Sequence, residues 1–133
     1  MDLYAENILD HYRHPRGKQA ISTPSVTHEE VNLSCGDALT ISLSIEEGKV
    51  TEMGWEGSGC AISQAAMSML SEELEGKSVD ELDALRKEDV YALLGVPIGP
   101  RRFKCALLGL HTLKNAVRKF KKEEVRGWGE TSI

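Results

Sequence analysis

Leu39-Thr40-Ile41-Ser42-Leu43-Ser44-Ile45-Glu46-Glu47-Gly48-Lys49-Val50 is the stretch that decides the fold. Leu39, Ile41, Leu43 and Ile45 alternate with Thr40, Ser42 and Ser44, a period of two that puts apolar side chains on one face of a strand and hydroxyls on the other. Glu46-Glu47-Gly48-Lys49 reads as a hairpin turn. The returning strand runs from Val50 to Trp55, and Val26 to Leu33 supplies a third partner. Together these segments predict a small antiparallel three-stranded sheet.

Outward from the sheet the period becomes helical. Leu3, Tyr4, Ile8, Leu9 and Tyr12 form an apolar stripe that ends at His14-Pro15, and the cations His11, Arg13, His14, Arg16 and Lys18 at its end read as a solvated patch. Downstream, Ile62, Ala65, Ala66, Met69, Leu70 and Leu74 share one helix face with Gly76 as the expected stop. Ser78-Val79-Asp80-Glu81 has the form of a capping box, and the following helical pattern closes at Gly95. Pro100 suits the first turn of a last helix with Phe103, Leu107, Leu110, Leu113, Val117 and Phe120 buried, and with a basic solvated end from Lys114 to Lys122. The fold class is therefore α+β, the helices packed on one face of the sheet.

The length of 133 residues, with 41% hydrophobic and 28% charged composition, fits one domain spanning residues 1–133. Such a chain buries roughly two-thirds of its unfolded surface, so it needs no metal merely to fold. Met1-Asp2-Leu3-Tyr4 lacks the basic start of a secretory signal, and no stretch has the length of a membrane span, so a cytoplasmic location is expected. A net charge of -5 argues against a general nucleic-acid binder.

The chemistry lies in three cysteines. Cys60 follows the run Trp55-Glu56-Gly57-Ser58-Gly59 and opens a helical pattern, so it sits at a helix N-terminus, where unpaired N–H groups and the dipole favour an anion. Cys35 lies in a Cys35-Gly36-Asp37 turn between two strands, and Cys105 follows Arg101, Arg102, Phe103 and Lys104 at the opening of the last helix. Three thiols and the Asp37 carboxylate make four donors, the number that a tetrahedral zinc or an iron-sulfur cluster uses. Spacing alone leaves open whether they meet. No Cys-x-x-Cys supports a zinc ribbon or a thioredoxin-like site, and a thiol hydrolase built on Cys60 and His111 has no evident third group to orient the histidine.

Cys35-Gly36-Asp37, Gly59-Cys60-Ala61-Ile62-Ser63 and Lys104-Cys105-Ala106, in that order, resemble the three motifs of the IscU, SufU and NifU N-terminal scaffold family. The likeness extends to Asp10-His11-Tyr12, His14-Pro15-Arg16 and Ser68-Met69-Leu70, and so covers nearly the whole chain. It implies an IscU/NifU-N-like fold and a scaffold on which a [2Fe-2S] cluster is built from iron and desulfurase-derived sulfur, then passed to acceptor proteins. By matched position, Cys35, Asp37, Cys60 and Cys105 would be the ligands of the cluster, or of zinc in isolated protein. The implied partners are a cysteine desulfurase and iron-sulfur acceptor proteins, with no nucleic acid and no membrane, and a homodimer is compatible with the resemblance.

Two departures place the chain between branches. Lys104 stands where the IscU type carries a histidine, as in the SufU type, yet the interval from Cys60 to Cys105 is too short for the SufU insertion. Ile98-Gly99-Pro100-Arg101-Arg102 replaces the IscU chaperone-recognition run. The alternative function is thus a zinc-bound sulfurtransferase of the SufU type, and a non-enzymatic scaffold is the leading expectation. Arg101, Arg102 and Lys104 are expected to offset the negative charge of the ligands. Cys105 is expected to be the first sulfur acceptor, with Cys60 deeper against the core and Lys104 paired to Asp37 in the empty site.

Overall fold

The computed structural model describes residues 3–34 and 36–128, residues 3 and 4 by their backbone only. In chain order the elements are α1 (Leu3–Arg13), β1 (Val26–Asn32), β2 (Asp37–Glu46), β3 (Lys49–Ser58), α2 (Ala61–Ser71), α3 (Val79–Asp83), α4 (Lys87–Leu94) and α5 (Phe103–Phe120). The strands form one antiparallel sheet in the order β1-β2-β3.

On β2 the alternation works as expected: Leu39, Ile41 and Leu43 are fully buried while Thr40, Ser42 and Ser44 on the opposite face are only half-buried. The turn to β3 holds Glu47 at φ 52° and Gly48 at φ 73°, the pair of positive values whose twist suits a two-residue hairpin. Beyond Trp55 the strand continues to Ser58, so Gly57 belongs to the sheet, where a Cβ would strike the backbone of Ala38 and the side chain of Leu39.

The helices α2 and α5 cover the buried face. On α5, Leu107, Leu110, Leu113 and Val117 are all buried to 1% exposure or less, each stabilising the fold by about 1.5–3 kcal/mol on full burial. Gly109 lets α5 approach α2, since a Cβ there would lie 3.0 Å from Met67 Sδ. The Ser78 capping box is present, and Gly95 ends α4 at φ 69°.

Several expectations need correction. Helix α2 ends at Ser71, before Gly76, although Leu74 in the following turn is still fully buried. Helix α5 starts at Phe103 with Arg102 as its N-cap, so Pro100 precedes it, and Phe103 and Phe120 are half-buried. His11 is 6% exposed and not part of a solvated patch. Its Nδ1 bonds Ser68 Oγ at 2.7 Å, and the Arg16 N–H donates to the same hydroxyl at 2.8 Å, locking α1 and the following chain onto α2. The basic end of α5 is likewise anchored: Arg118 is buried, and Lys119 Nζ donates to Thr27 O at 2.7 Å. The expected contributions of the Leu3 and Tyr4 side chains lie outside the described residues.

Candidate metal centre

The chain leaves β3 at Ser58 and turns at Gly59, whose φ of +143° favours glycine and where a Cβ would collide with the Asp37 carboxylate. That turn sets Cys60 as the N-cap of α2, in extended conformation with φ -72° and ψ 164°. Its side chain does not cap the helix and is left for other partners. Asp37 is the first residue of β2 and fully buried. Its Oδ1 accepts the Cys60 backbone N–H at 2.8 Å, while Oδ2 lies 4.0 Å from Cys60 Sγ. Ser63 Oγ, 3.8 Å from the same sulfur, donates to Cys60 O at 3.0 Å.

Cys105 is the third residue of α5, so its thiol also stands in the first turn of a helix. The donor atoms of Asp37, Cys60 and Cys105 lie within 4.8 Å of one another. Tetrahedral donors around zinc at about 2.0–2.3 Å are only a little closer together, so this set fits a thiophilic cation with small adjustment. Cys35, the remaining expected ligand, lies outside the described residues. Gly36, which follows it in sequence, has φ +72° and donates its N–H to Asn32 O at 2.9 Å.

Two expectations about the surroundings are overturned. Cys60 is the exposed thiol and Cys105 the buried one at 4%, the reverse of the expected depths: Cys60 caps α2 at the glycine turn, while Cys105 lies within the first turn of α5 beside the buried Ala106 and Leu107. Lys104 makes no ion pair with Asp37. Its Nζ stands 5.8 Å over the ring of Trp128, and the Cys60 N–H takes up Asp37 instead. Arg101 and Arg102 are exposed.

A second polar cluster escaped the sequence reading. Trp128 stacks on His111 with centroids 4.2 Å apart, His111 Nε2 is 3.5 Å from Glu30 Oε1, and Glu30 Oε2 meets His28 Nε2 at 2.6 Å and Asn115 Nδ2 at 2.9 Å. Burial pushes Glu30 up, but the bonds from His28 and Asn115 and the charge of His111 outweigh it and hold the carboxyl below its usual range. Burial lowers His111, against the pull of Glu30. His28 and Glu30 are alternate residues of one strand, a signal that was available, but nothing local announced that α5 and the chain after it would close over them.

The family model described as NifU-like N terminal domain matches residues 3–126. The chain belongs to this family. It is 32% identical to the iron-sulfur cluster assembly scaffold protein IscU of Thermotoga maritima, covering 88% of this chain and 94% of that one. It is 31% identical to the zinc-dependent sulfurtransferase SufU of Bacillus subtilis, covering 88% and 90% respectively. Among solved structures it resembles a protein assigned as an iron-sulfur cluster assembly scaffold for the SUF system in Fervidobacterium islandicum AW-1, with a TM-score of 0.75, 28% identity, and coverage of 84% of this chain and 94% of that one. The three-stranded sheet with its helices is thus the fold of this family.

Proposed function

We propose that this protein is a scaffold on which iron and sulfur are assembled into a [2Fe-2S] cluster and from which the cluster passes to acceptor proteins. The observation that carries the reading is the convergence of Asp37, Cys60 and Cys105 within 4.8 Å, from three separate elements, in a chain of the NifU-like N-terminal family. Cys35, two residues before Asp37 in sequence, completes the proposed ligand set. The mixed donors suit a transient cargo: soft thiolates would hold the iron, while a hard carboxylate oxygen is the weaker corner at which an incoming thiol can displace the protein. A storage protein would gain from four thiolates; a scaffold has to let go.

Sulfur would arrive from the persulfide of a cysteine desulfurase. A scaffold thiolate attacks the outer sulfur, a new S–S bond forms, and the desulfurase thiolate leaves. Reduction of that sulfur to sulfide takes two electrons from an external reductant. Such exchange belongs to a reducing compartment, which supports a cytoplasmic location, and among the described residues no helix is long and apolar enough to cross a membrane.

One observation favours a second reading. Lys104 cannot serve as a ligand while protonated, which leaves a three-thiol, one-carboxylate set that also suits tight zinc, and one relative is a zinc-dependent sulfurtransferase. Anaerobic reconstitution with iron and sulfide separates the two. Visible charge-transfer bands that fall away in Cys35→Ser, Cys60→Ser and Cys105→Ser proteins are expected for the scaffold. A colourless protein that holds one zinc per chain and stimulates a desulfurase would replace that reading with the sulfurtransferase, and a cysteine variant that holds cluster like the parent would strike that residue from the ligand set.

A further inference from the structure

Buried side-chain polar atoms without a hydrogen-bond partner include, among the described residues, Asn32 Nδ2 and Gln64 Nε2. An orphan buried donor is rare because it has given up water for nothing in return. Both residues neighbour members of the donor cluster along the chain or across the sheet. Gln64 is one helical turn beyond Cys60, and its backbone N–H bonds Cys60 O at 3.2 Å. Asn32, 3% exposed, is the last residue of β1 and the register partner of Asp37.

Asn32 carries the inference further, because its amide is oriented. Oδ1 accepts the Ser34 N–H at 3.3 Å, which distinguishes the oxygen from the nitrogen and turns the NH2 group the other way. Directly paired residues of an antiparallel ladder project to the same side of the sheet with Cβ atoms about 4.5–5.5 Å apart, so the Asn32 and Asp37 side chains leave the sheet on one side as neighbours. That side faces α5. Glu30, two residues back on β1, meets Asn115 and His111, and Lys119 reaches Thr27, so α5 runs antiparallel to β1 and brings its first turn, with Cys105, toward the Asn32 end.

We propose that Asn32 is a hydrogen-bond donor of the metal centre, its Nδ2–H group donating to a thiolate or sulfide sulfur when the site is filled. The inference rests on the ligand set proposed above and adds a residue to it. Thiolates and sulfides are acceptors without protons to offer, and among the described residues Lys104 is turned to Trp128 while the Ser63 hydroxyl donates to Cys60 O. A donor aimed at sulfur withdraws electron density from the metal–sulfur bond and fixes the ligand's orientation, the role that outer partners of metal ligands commonly play. It also explains why the fold keeps an amide unpaired at this place.

Cobalt(II) alone, which reports thiolate ligation by its charge-transfer bands, tests this without iron, sulfide or any partner. Asn32→Ser keeps an oxygen able to accept the Ser34 N–H and removes the amide; Asn32→Asp keeps the shape and is acceptor-only. In both, the thiolate-to-cobalt band is expected to move to longer wavelength, and competition against a chelator to show affinity about 10- to 100-fold weaker than the parent's. Circular dichroism of the metal-free proteins checks that the variants fold. If Asn32→Asp fails to fold, the Asn32→Ser protein decides. An unmoved band overturns the inference whether or not affinity falls, since weaker binding alone would mark a merely structural residue. A parent protein that binds no cobalt overturns the ligand set and this inference together.

Discussion

The Cys60 backbone N–H donates to Asp37 Oδ1 at 2.8 Å, so the carboxylate that begins β2 is held by the cap of α2 before any cation arrives. One carboxylate oxygen is therefore engaged, and Oδ2, 4.0 Å from Cys60 Sγ, is the one turned toward the thiols. Replacing the residue should have two separable effects. Asp37→Ala leaves the Cys60 N–H without its partner and should cost about 1–3 kcal/mol of stability in the metal-free protein, read by denaturant unfolding. In the reconstituted protein the same change should slow cluster transfer several-fold, read by the loss of visible absorbance to an acceptor, because the weak oxygen corner is gone. Faster transfer than in the parent would make Asp37 a retaining ligand and end the lability argument.

Gly59 should be intolerant for the same reason. Its φ of +143° and the collision of a Cβ with the Asp37 carboxylate predict that Gly59→Ala loses about 1–3 kcal/mol and most of its metal affinity. Gly99→Ala, where a Cβ would meet nothing within 4 Å, serves as control. Equal melting temperatures and zinc affinities for the two variants would show that the turn can relax.

The first sulfur acceptor is a matter of access. Arg101, Arg102 and Lys104 precede Cys105 and would steer an anionic persulfide towards it, which is why the sequence favours that thiol. With Cys60 exposed and Cys105 4% exposed, the folded protein offers Cys60 first. After a single turnover with a desulfurase, mass spectrometry should find persulfide on the Cys105→Ser protein at near-parental level and little on Cys60→Ser. The opposite pattern would return the role to Cys105 and require its buried thiol to become accessible during transfer.

Acidification should destabilise the metal-free protein in two stages. His11 and His111 both lie below the ordinary imidazole value, burial being the main cause in each. The unfolded chain therefore takes up these protons first, and the stability they confer is complete above about pH 6.5 and lost as pH falls below it. Glu30, held below its usual range despite burial, contributes stability above about pH 4.3 that is lost below it. The melting temperature should fall from pH 7.5 to 5.5 and again below 4.5, with the first step reduced in His111→Phe. A flat profile between 7.5 and 5.5 would contradict the burial of both imidazoles as neutral groups.

What the sequence could disclose followed local rules. The alternation of Leu39, Ile41 and Leu43, the Glu47-Gly48 turn and the capping box of Ser78 each depend on a few neighbours, and all three appear in the fold. Cys60 as a helix cap was legible for the same reason: glycines before it, a helical period after it. The exposure of Cys60 and Cys105 was not, because depth is decided by which distant segment passes overhead. His11 illustrates the difficulty: on its helix it reads as one cation in a basic run, and only the arrival of Ser68, 57 residues away, makes it a buried tie between helices. Lys104 is similar, since its neighbour Trp128 approaches from beyond the end of α5.

The moorings of α5 bear on the place of Cys105. Lys119 is fastened to the backbone of Thr27, and the Asn115 amide joins Glu30 and then, through both its oxygen and its nitrogen, the backbone of Arg126, as a neighbouring strand would. The last third of the helix, from Asn115 onward, is thereby tied to the edge strand β1. Cys105 lies at the other end of the same helix, ten residues before Asn115, so the ties that fix α5 to β1 also fix the place of its thiol relative to Asp37.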